Sequence, residues 1–112
     1  MDCIFCRIIE GDLPGKIVYT DERVVAIEDL HPHAPTHILL LPREHIPGLA
    51  EAGPGHDALL GYLQRIAARL AKERGLHGGY RTVLNVGPDA GQSVFHLHLH
   101  LLGGRAMSWP PG

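Results

Sequence analysis

Hydrophobic and polar residues alternate most regularly near the carboxyl-terminal end of the chain, from Phe95 to Leu102. Histidine occupies positions 96, 98 and 100, and leucine occupies positions 97, 99 and 101. Alternate side chains of a β-strand point to opposite faces, so a strand would gather the histidines on one face and the leucines on the other. A helix would scatter both sets around its axis. The pattern therefore predicts a strand across residues 95–102.

Other apolar runs have the length and composition of β-strands. These predicted strands cover Ile17–Thr20, Val24–Ile27, Thr36–Pro42 and Tyr80–Val86. The first two are separated by three polar residues, which favours a hairpin. The run at 36–42 is apolar almost throughout, as expected for a central strand covered on both faces. Pro42 should end this strand, because proline has no N–H to contribute to a sheet interior.

Two stretches have helical spacing. The longer one spans Pro54 to Gly75, where proline suits the first turn of a helix and glycine suits its carboxyl-terminal cap. Its apolar stripe comprises Leu59, Leu63, Ile66 and Leu70, and we expect this stripe to cover one face of the sheet. A shorter helix is predicted over residues 3–10, before Gly11 interrupts the pattern.

Composition narrows the class of protein. The chain has 112 residues, of which 45% are hydrophobic and 20% are charged, so we expect a single domain over residues 1–112. The formal net charge of -2 provides no basic surface for duplex nucleic acid. No apolar run is long enough for a membrane span, and the first residues do not resemble a signal peptide. These features predict a cytoplasmic protein with neither a membrane nor a nucleic-acid duplex as partner.

Candidate chemistry centres on the alternating histidines. A loop containing glycines and hydrogen-bond donors, residues 87–93, leads directly into them, and backbone N–H groups in such a turn can converge on an anion. A neutral imidazole is a competent nucleophile, and a covalent phospho-histidine divides one difficult step into two easier ones. The set suits attack on the phosphorus of a nucleotide, with the central histidine, His98, as nucleophile. The rival interpretation is a catalytic zinc or iron on His96, His98 and His100, with His37 as a further candidate ligand.

Cys3 and Cys6 form a Cys-x-x-Cys pair near the start of the chain. This spacing supplies half of a tetrahedral zinc site. A thioredoxin-like role would need a flanking βαβ unit, which the surrounding pattern lacks. The plain alternative is two small apolar side chains buried in a core.

Residues 92–102 resemble the His-φ-His-φ-His-φ-φ signature of the histidine triad (HIT) superfamily, where φ is an apolar residue. The segments at 27–30, 34–37, 84–85, 103–105 and 109–112 resemble its Hint branch. The resemblance implies an α+β fold, with an antiparallel sheet of about five strands, one long helix and a short amino-terminal helix. It also implies a homodimer with a continuous sheet, and we expect Trp109 and the tail to lie across the subunit boundary.

The same resemblance implies a nucleoside phosphoramidase, which cleaves the P–N bond of substrates such as adenosine 5′-monophosphoramidate without an organic cofactor. His98 would be the nucleophile, supported by His100, His96 and His37. Ser93, Asn85 and the backbone around Gly91 and Gln92 would hold the phosphate and the leaving group, and Ser93 would belong to the catalytic set. Asp29 would bind the ribose hydroxyls, and the purine would lie among Phe5, Ile8, Leu13, Ile27 and Leu30. The branch often has an aromatic residue where this chain has Ile27, which leaves the choice between adenine and guanine open.

Relatives with a Cys-x-x-Cys carry histidines at matching places, which implies a structural zinc bound by Cys3, Cys6, His45 and His96. On this interpretation the metal pins the amino-terminal helix to the sheet and takes no part in catalysis. Two other functions remain open at this point. One is a non-catalytic nucleotide-binding or scaffold protein, and the other is a dinucleoside polyphosphate hydrolase of the same superfamily.

Overall fold

Five strands and two α-helices make up the fold of residues 3–112, the part of the chain that this computed structural model describes. The strands are β1 (Ile17–Thr20), β2 (Val24–Glu28), β3 (Thr36–Pro42), β4 (Tyr80–Val83) and β5 (Leu99–Gly103). Helix α1 covers Ile4–Ile9, and helix α2 covers Asp57–Glu73. The sheet order is β1-β2-β3-β5-β4, and every neighbouring pair is antiparallel. The predicted fold class is confirmed.

Strand β3 is buried along its whole length because a helix packs on each face of the sheet. Ile38 and Leu40 point into the core beneath α2, whereas Leu39 and Leu41 pack towards α1. This two-sided burial explains why the strand reads as a continuous apolar run. His37 shares the face of Leu39 and Leu41 because all three occupy alternate positions.

Helix α2 buries Leu63, Ile66 and Leu70 of the predicted stripe, and Leu59 is partly buried. The α-helix is shorter than the predicted span of 54–75, since Pro54–His56 forms a separate 3₁₀ turn. At the other end, Gly75 has a positive φ of 70°, and the Leu76 N–H donates to the carbonyl of Ala71. This is the Schellman arrangement that glycine favours at a helix terminus.

Helix α1 has only six residues and therefore covers only part of the second face of the sheet. Cys3 is its N-cap, with Sγ accepting a hydrogen bond from the Cys6 N–H at 3.5 Å. Phe5 and Ile8 are its buried side chains. Within residues 3–112, no helix is long and apolar enough to cross a membrane.

The histidine segment differs from the prediction, because β5 begins at Leu99 and not at Phe95. The last register pair joins Leu40 to Leu99, so two further residues would bring Leu97 opposite Pro42, which has no N–H to share. The Leu97 N–H donates instead to the carbonyl of Ile46 at 2.7 Å. Leu97, Leu99 and Leu101 nevertheless all lie in the core beneath α2. The predicted separation of leucines from histidines is confirmed, and the predicted strand over 95–98 is wrong.

Strand β4 likewise ends at Val83, before the predicted end at Val86. Its last pair joins Val83 to His100. The chain then leaves the sheet and enters the loop at 87–93. β4 is an edge strand of the five-stranded sheet.

Candidate active site and metal cluster

A pocket of about 300 Å³ lies between α1, the end of β2 and the histidine segment. Eight of the predicted site residues line it, namely Phe5, Ile8, Ile27, Asp29, Leu30, Ser93, His98 and His100. Its apolar wall comes from α1 and β2, and its polar wall comes from the residues that precede and begin β5. A flat ring suits the apolar wall, and a charged or polar group suits the other.

The imidazole of His98 is held by the backbone two residues before it. Its Nδ1 lies 2.7 Å from the carbonyl oxygen of His96. A carbonyl only accepts, so Nδ1 carries the proton, and the neutral ring has its lone pair on Nε2. The ring of Phe5 packs edge-on against His98, with centroids 5.1 Å apart. These contacts give His98 one tautomer and one orientation beside the pocket.

His37 and His100 form a relay with defined proton positions. The backbone N–H of His33 donates to Nδ1 of His37 at 3.0 Å, which leaves the proton of the neutral His37 ring on Nε2. That nitrogen lies 2.9 Å from Nδ1 of His100. His37 therefore donates to His100, and the neutral His100 ring carries its own proton on Nε2.

Burial keeps both rings of this relay neutral near pH 7. It lowers the pKa of His37 below its ordinary value, against the opposing effect of the Asp29 carboxylate. The pKa of His100 falls to about 4, because the ring is partly buried and lies beside His98 and His37. A neutral relay agrees with the proton positions that the hydrogen bonds require.

Asp29 lies on the pocket wall and also faces the relay. Its Oδ1 accepts from the backbone N–H of His31 at 2.8 Å, and its Oδ2 lies 3.4 Å from Nε2 of His37. Asp29, His37 and His100 are close enough together to hold a metal ion. A bond from Nε2 of His37 to a metal would move its proton to Nδ1, against the N–H of His33. The geometry thus favours a hydrogen-bonded relay over a metal site.

Gln92 shapes the loop at 87–93 from the inside. Its buried side chain accepts from the N–H of Gly87 at 2.9 Å and donates to the carbonyls of Pro47 and Val94 at 2.8 and 3.2 Å. Gly91, with a φ of 90°, adopts a conformation that favours glycine. Of the predicted phosphate-binding residues in this loop, only Ser93 lines the pocket. The sequence carried no signal that the amide of Gln92 would be turned inwards.

Asn85 and Leu13 lie away from the pocket. Leu13 packs against the apolar cluster of α1, and Asn85 lines a second cavity of about 560 Å³. His37 and His100 line this second cavity too, together with Arg81 and Arg105. His100 therefore faces both cavities. Neither arginine was predicted as a site residue, because nothing in the sequence indicates that Arg81 in β4 and Arg105 just after β5 line one cavity with His100.

Cys3, Cys6, His45 and His96 converge on one point, as predicted. The sulfur-to-nitrogen distances are 3.6 Å for Cys3–His96, 3.3 Å for Cys6–His45 and 3.5 Å for Cys6–His96. Nδ1 of His45 lies 3.1 Å from Nδ1 of His96. Ligands of a tetrahedral zinc ion are about 3.3–3.8 Å apart, given the usual Zn–S and Zn–N bond lengths. The cluster fits a structural zinc ion.

The second nitrogen of His96 supports this assignment. Nε2 lies 2.8 Å from the carbonyl oxygen of Pro42, so it carries the proton, and the lone pair of Nδ1 faces the two cysteines. Metal-binding histidines typically donate their other N–H to such a carbonyl. Burial and the nearby Cys3 raise the pKa of the Cys6 thiol, so metal binding must displace its proton. A bound zinc would supply four bonds that tie α1 to the segments after β3 and before β5.

The histidine triad does not converge on a single metal. His96 faces the cysteines, His98 faces a backbone carbonyl and His100 faces His37. This arrangement disfavours the rival interpretation of a catalytic metal held by all three.

Comparison with known proteins places this geometry in a family. A family model described as HIT domain matches residues 10–107. The chain belongs to the HIT family. A 14 kDa zinc-binding protein from Zea mays is 51% identical over 111 residues, which cover 97% of this chain and 87% of that protein.

Two solved HIT structures are also similar. The HIT family hydrolase from Legionella pneumophila superimposes with a TM-score of 0.97 at 44% identity, over 99% of this chain and 100% of that one. A Zn-bound histidine triad family protein from Mycobacterium smegmatis has a TM-score of 0.81 at 38% identity, over 94% of this chain and 76% of that one. These likenesses agree with the HIT fold and with a zinc-binding cluster in this chain.

Proposed function

We propose that the protein is a hydrolase that cleaves the P–N bond of purine nucleoside 5′-phosphoramidates through a nucleotidyl intermediate on His98. The observation that carries this proposal is the hydrogen bond from Nδ1 of His98 to the carbonyl of His96 at 2.7 Å. It leaves the nucleophilic lone pair on Nε2 of a ring that lines the pocket. The similar Legionella pneumophila protein is described as a HIT family hydrolase, which supports the reaction class.

Substrate binding follows from the two walls of the pocket. The base would lie against the apolar residues of α1 and β2, where Ile27 offers an aliphatic surface without ring stacking. Oδ2 of Asp29 makes only the longer contact of 3.4 Å to Nε2 of His37 and can accept from a ribose hydroxyl, whereas Oδ1 is already bonded to the N–H of His31. Ser93 and the loop before it would contact the phosphate at the other end.

The reaction then proceeds in two displacements. Nε2 of His98 attacks phosphorus, a new P–N bond forms, and the bond to the substrate amine breaks as that amine takes up a proton from solvent, which the water consumed in the second displacement returns. The N–H on Nε2 of His100 is available to stabilise charge on the phosphoryl oxygens. Water then attacks the nucleotidyl-histidine, which releases the nucleoside monophosphate and restores the neutral His98.

Replacing the nucleophile tests the proposal. His98→Asn should lower the turnover of adenosine 5′-monophosphoramidate by several orders of magnitude and leave nucleotide binding largely intact. The matched control is His77→Asn, because His77 is exposed and does not line the pocket. A covalent nucleotidyl adduct should be detected by mass spectrometry in the wild type and be absent from His98→Asn. Near-normal turnover in the purified His98→Asn protein would overturn the assignment.

The second cavity favours a second candidate substrate. Arg81 and Arg105 line it beside His100, and two guanidinium groups suit the phosphates of a dinucleoside polyphosphate. Turnover of diadenosine tetraphosphate measured beside the phosphoramidate separates the two activities. Binding of nucleotides without turnover of either substrate would instead indicate the non-catalytic alternative.

We also propose a homodimer with a continuous sheet across strand β4. Support comes from the position of β4 at the end of the described sheet and from the exposure of Tyr80 on it, with 45% of its surface accessible. Trp109 in the tail is 81% exposed, which suits a side chain that a partner subunit would cover.

A further inference from the structure

His96 connects the metal cluster to the nucleophile. Its side chain enters the cluster through Nδ1, while its backbone carbonyl accepts the hydrogen bond that fixes His98. The ladder of β5 starts at Leu99, so no strand pairing holds the backbone of His96. Its other anchors are the bond from its own Nε2 to Pro42 and the bond from the next residue, Leu97, to Ile46.

Phe5 forms a second connection. It lies between the two cysteines in the sequence, and its ring packs edge-on against both His96 and His98, with centroid distances of 6.0 and 5.1 Å. Phe5 also lines the pocket. Any shift of α1 that moves the cysteines therefore moves a ring in contact with the nucleophile.

We propose that a metal ion in the cluster positions His98 for attack, with His96 and Phe5 as the positioning residues; the kinetic consequence depends on the function proposed above. Without a metal ion, Nδ1 of His96 keeps only weak contacts with the two thiols and faces Nδ1 of His45 at 3.1 Å. The ring of His96 is then held less firmly, and so is its backbone carbonyl. His98 then loses the acceptor that keeps its proton on Nδ1, and its lone pair no longer stays on Nε2.

A spectroscopic measurement tests the geometry without any substrate. Protein labelled with ¹⁵N is prepared with one equivalent of zinc and after removal of metal by a chelator, at the same pH. The side-chain nitrogens of His98, assigned with His98→Asn, should report a single tautomer in the zinc form. The metal-free form should show a mixture of tautomers, and adding zinc back should restore the single one. Identical His98 signals in the two forms would overturn the proposal.

Kinetics separate positioning from general loss of structure. Cys3→Ala should lower kcat by about 10- to 100-fold, the usual cost of losing a group that orients a functional ligand, and should change KM by less than about threefold. Cys3→His offers a replacement ligand and should recover most of kcat when zinc is added. The matched control is Ile9→Ala. It loosens the packing of α1 but removes neither a residue of the metal cluster nor one that lines the pocket, and it should keep its kcat.

Comparison of two variants covers the case in which metal removal unfolds the protein. If the metal-free wild type loses its circular dichroism signal, the His98 signals are compared between Cys3→Ala and Ile9→Ala at a temperature where both are folded. Equal tautomer content in that pair would overturn the proposal, as would an equal loss of kcat. Absence of phosphoramidate turnover in the zinc-loaded wild type would overturn the proposed function, whereas the tautomer measurement would still decide the role of the metal.

Discussion

Protonation of His100 should lower the free energy of unfolding as the pH falls from 7 to about 4. The His100→Gln variant should lack this part of the decrease. Burial and the neighbouring rings of His98 and His37 lower the pKa of His100 from 6.5 to about 4. The unfolded chain therefore binds a proton at this position before the folded protein does. The contribution of His100 to stability is fully present above about pH 6.5 and is lost between that value and about pH 4. Below about pH 4 this group causes no further loss.

The size of the effect follows from the shift. One pKa unit corresponds to about 1.4 kcal/mol, so the folded state should lose about 2–3 kcal/mol, after allowance for the part of the ring that water reaches. Glutamine does not titrate and can still accept from Nε2 of His37. The free energy of unfolding of the wild type, taken relative to that of the variant, should therefore fall by about 2–3 kcal/mol between pH 7 and about pH 4.

The assay is urea unfolding followed by circular dichroism, on both proteins without metal, at several pH values. Taking the difference between them cancels groups that titrate equally in both, such as Asp21, whose hydrogen bonds keep its pKa well below the ordinary value. Unfolding free energies that run parallel across this pH range would refute the idea that His100 is held neutral by its surroundings.

Three further outcomes are expected. By elemental analysis, untagged protein should carry about one equivalent of zinc, and the Cys6→Ala variant should carry less than about a tenth. A wild-type protein without zinc, whose stability is unchanged by a chelator, would contradict the cluster assignment. Light scattering at micromolar concentration should give twice the mass of the chain, and a monomer would argue against pairing through β4. Asp21→Asn should lower the free energy of unfolding by about 2 kcal/mol, because Asp21 accepts from the hydroxyls of Tyr19 and Tyr62. Asp12→Asn, at an exposed position, is its control. Equal stability of the Asp21→Asn and Asp12→Asn variants would contradict this prediction.

The sheet could be predicted because the information that specifies a strand is local. The apolar run at 36–42 and the alternation at 96–101 each predict a strand, and the two-residue period of a strand decides which side chains share a face, whatever the strand pairs with. The start of β5 could not be predicted in the same way. It depends on Pro42 coming opposite Leu97, a consequence of the pairing register between two strands that are distant in the sequence.

In the candidate site, the identity of the metal-cluster residues could be predicted, but the proton positions on the histidines could not. Cysteine spacing supplied half of the metal cluster, and the resemblance to relatives with histidines at matching places supplied the other half; the structure brings the four residues together. The proton positions were beyond sequence analysis, since they depend on backbone groups such as the N–H of His33 and the carbonyl of His96. A backbone donor or acceptor is present at nearly every residue, so its type carries no signal and only the folded path selects it.

The inward-turned amide of Gln92 has a thermodynamic consequence for ligand binding. Three hydrogen bonds from one buried side chain fix the loop before any phosphate arrives. A ligand that meets a rigid loop loses little of its binding free energy to ordering the protein. Calorimetry of a nucleoside monophosphate should therefore show a small entropic penalty, and a variant with alanine at this position should bind with a more favourable enthalpy offset by a larger loss of entropy, as the loop orders around the ligand.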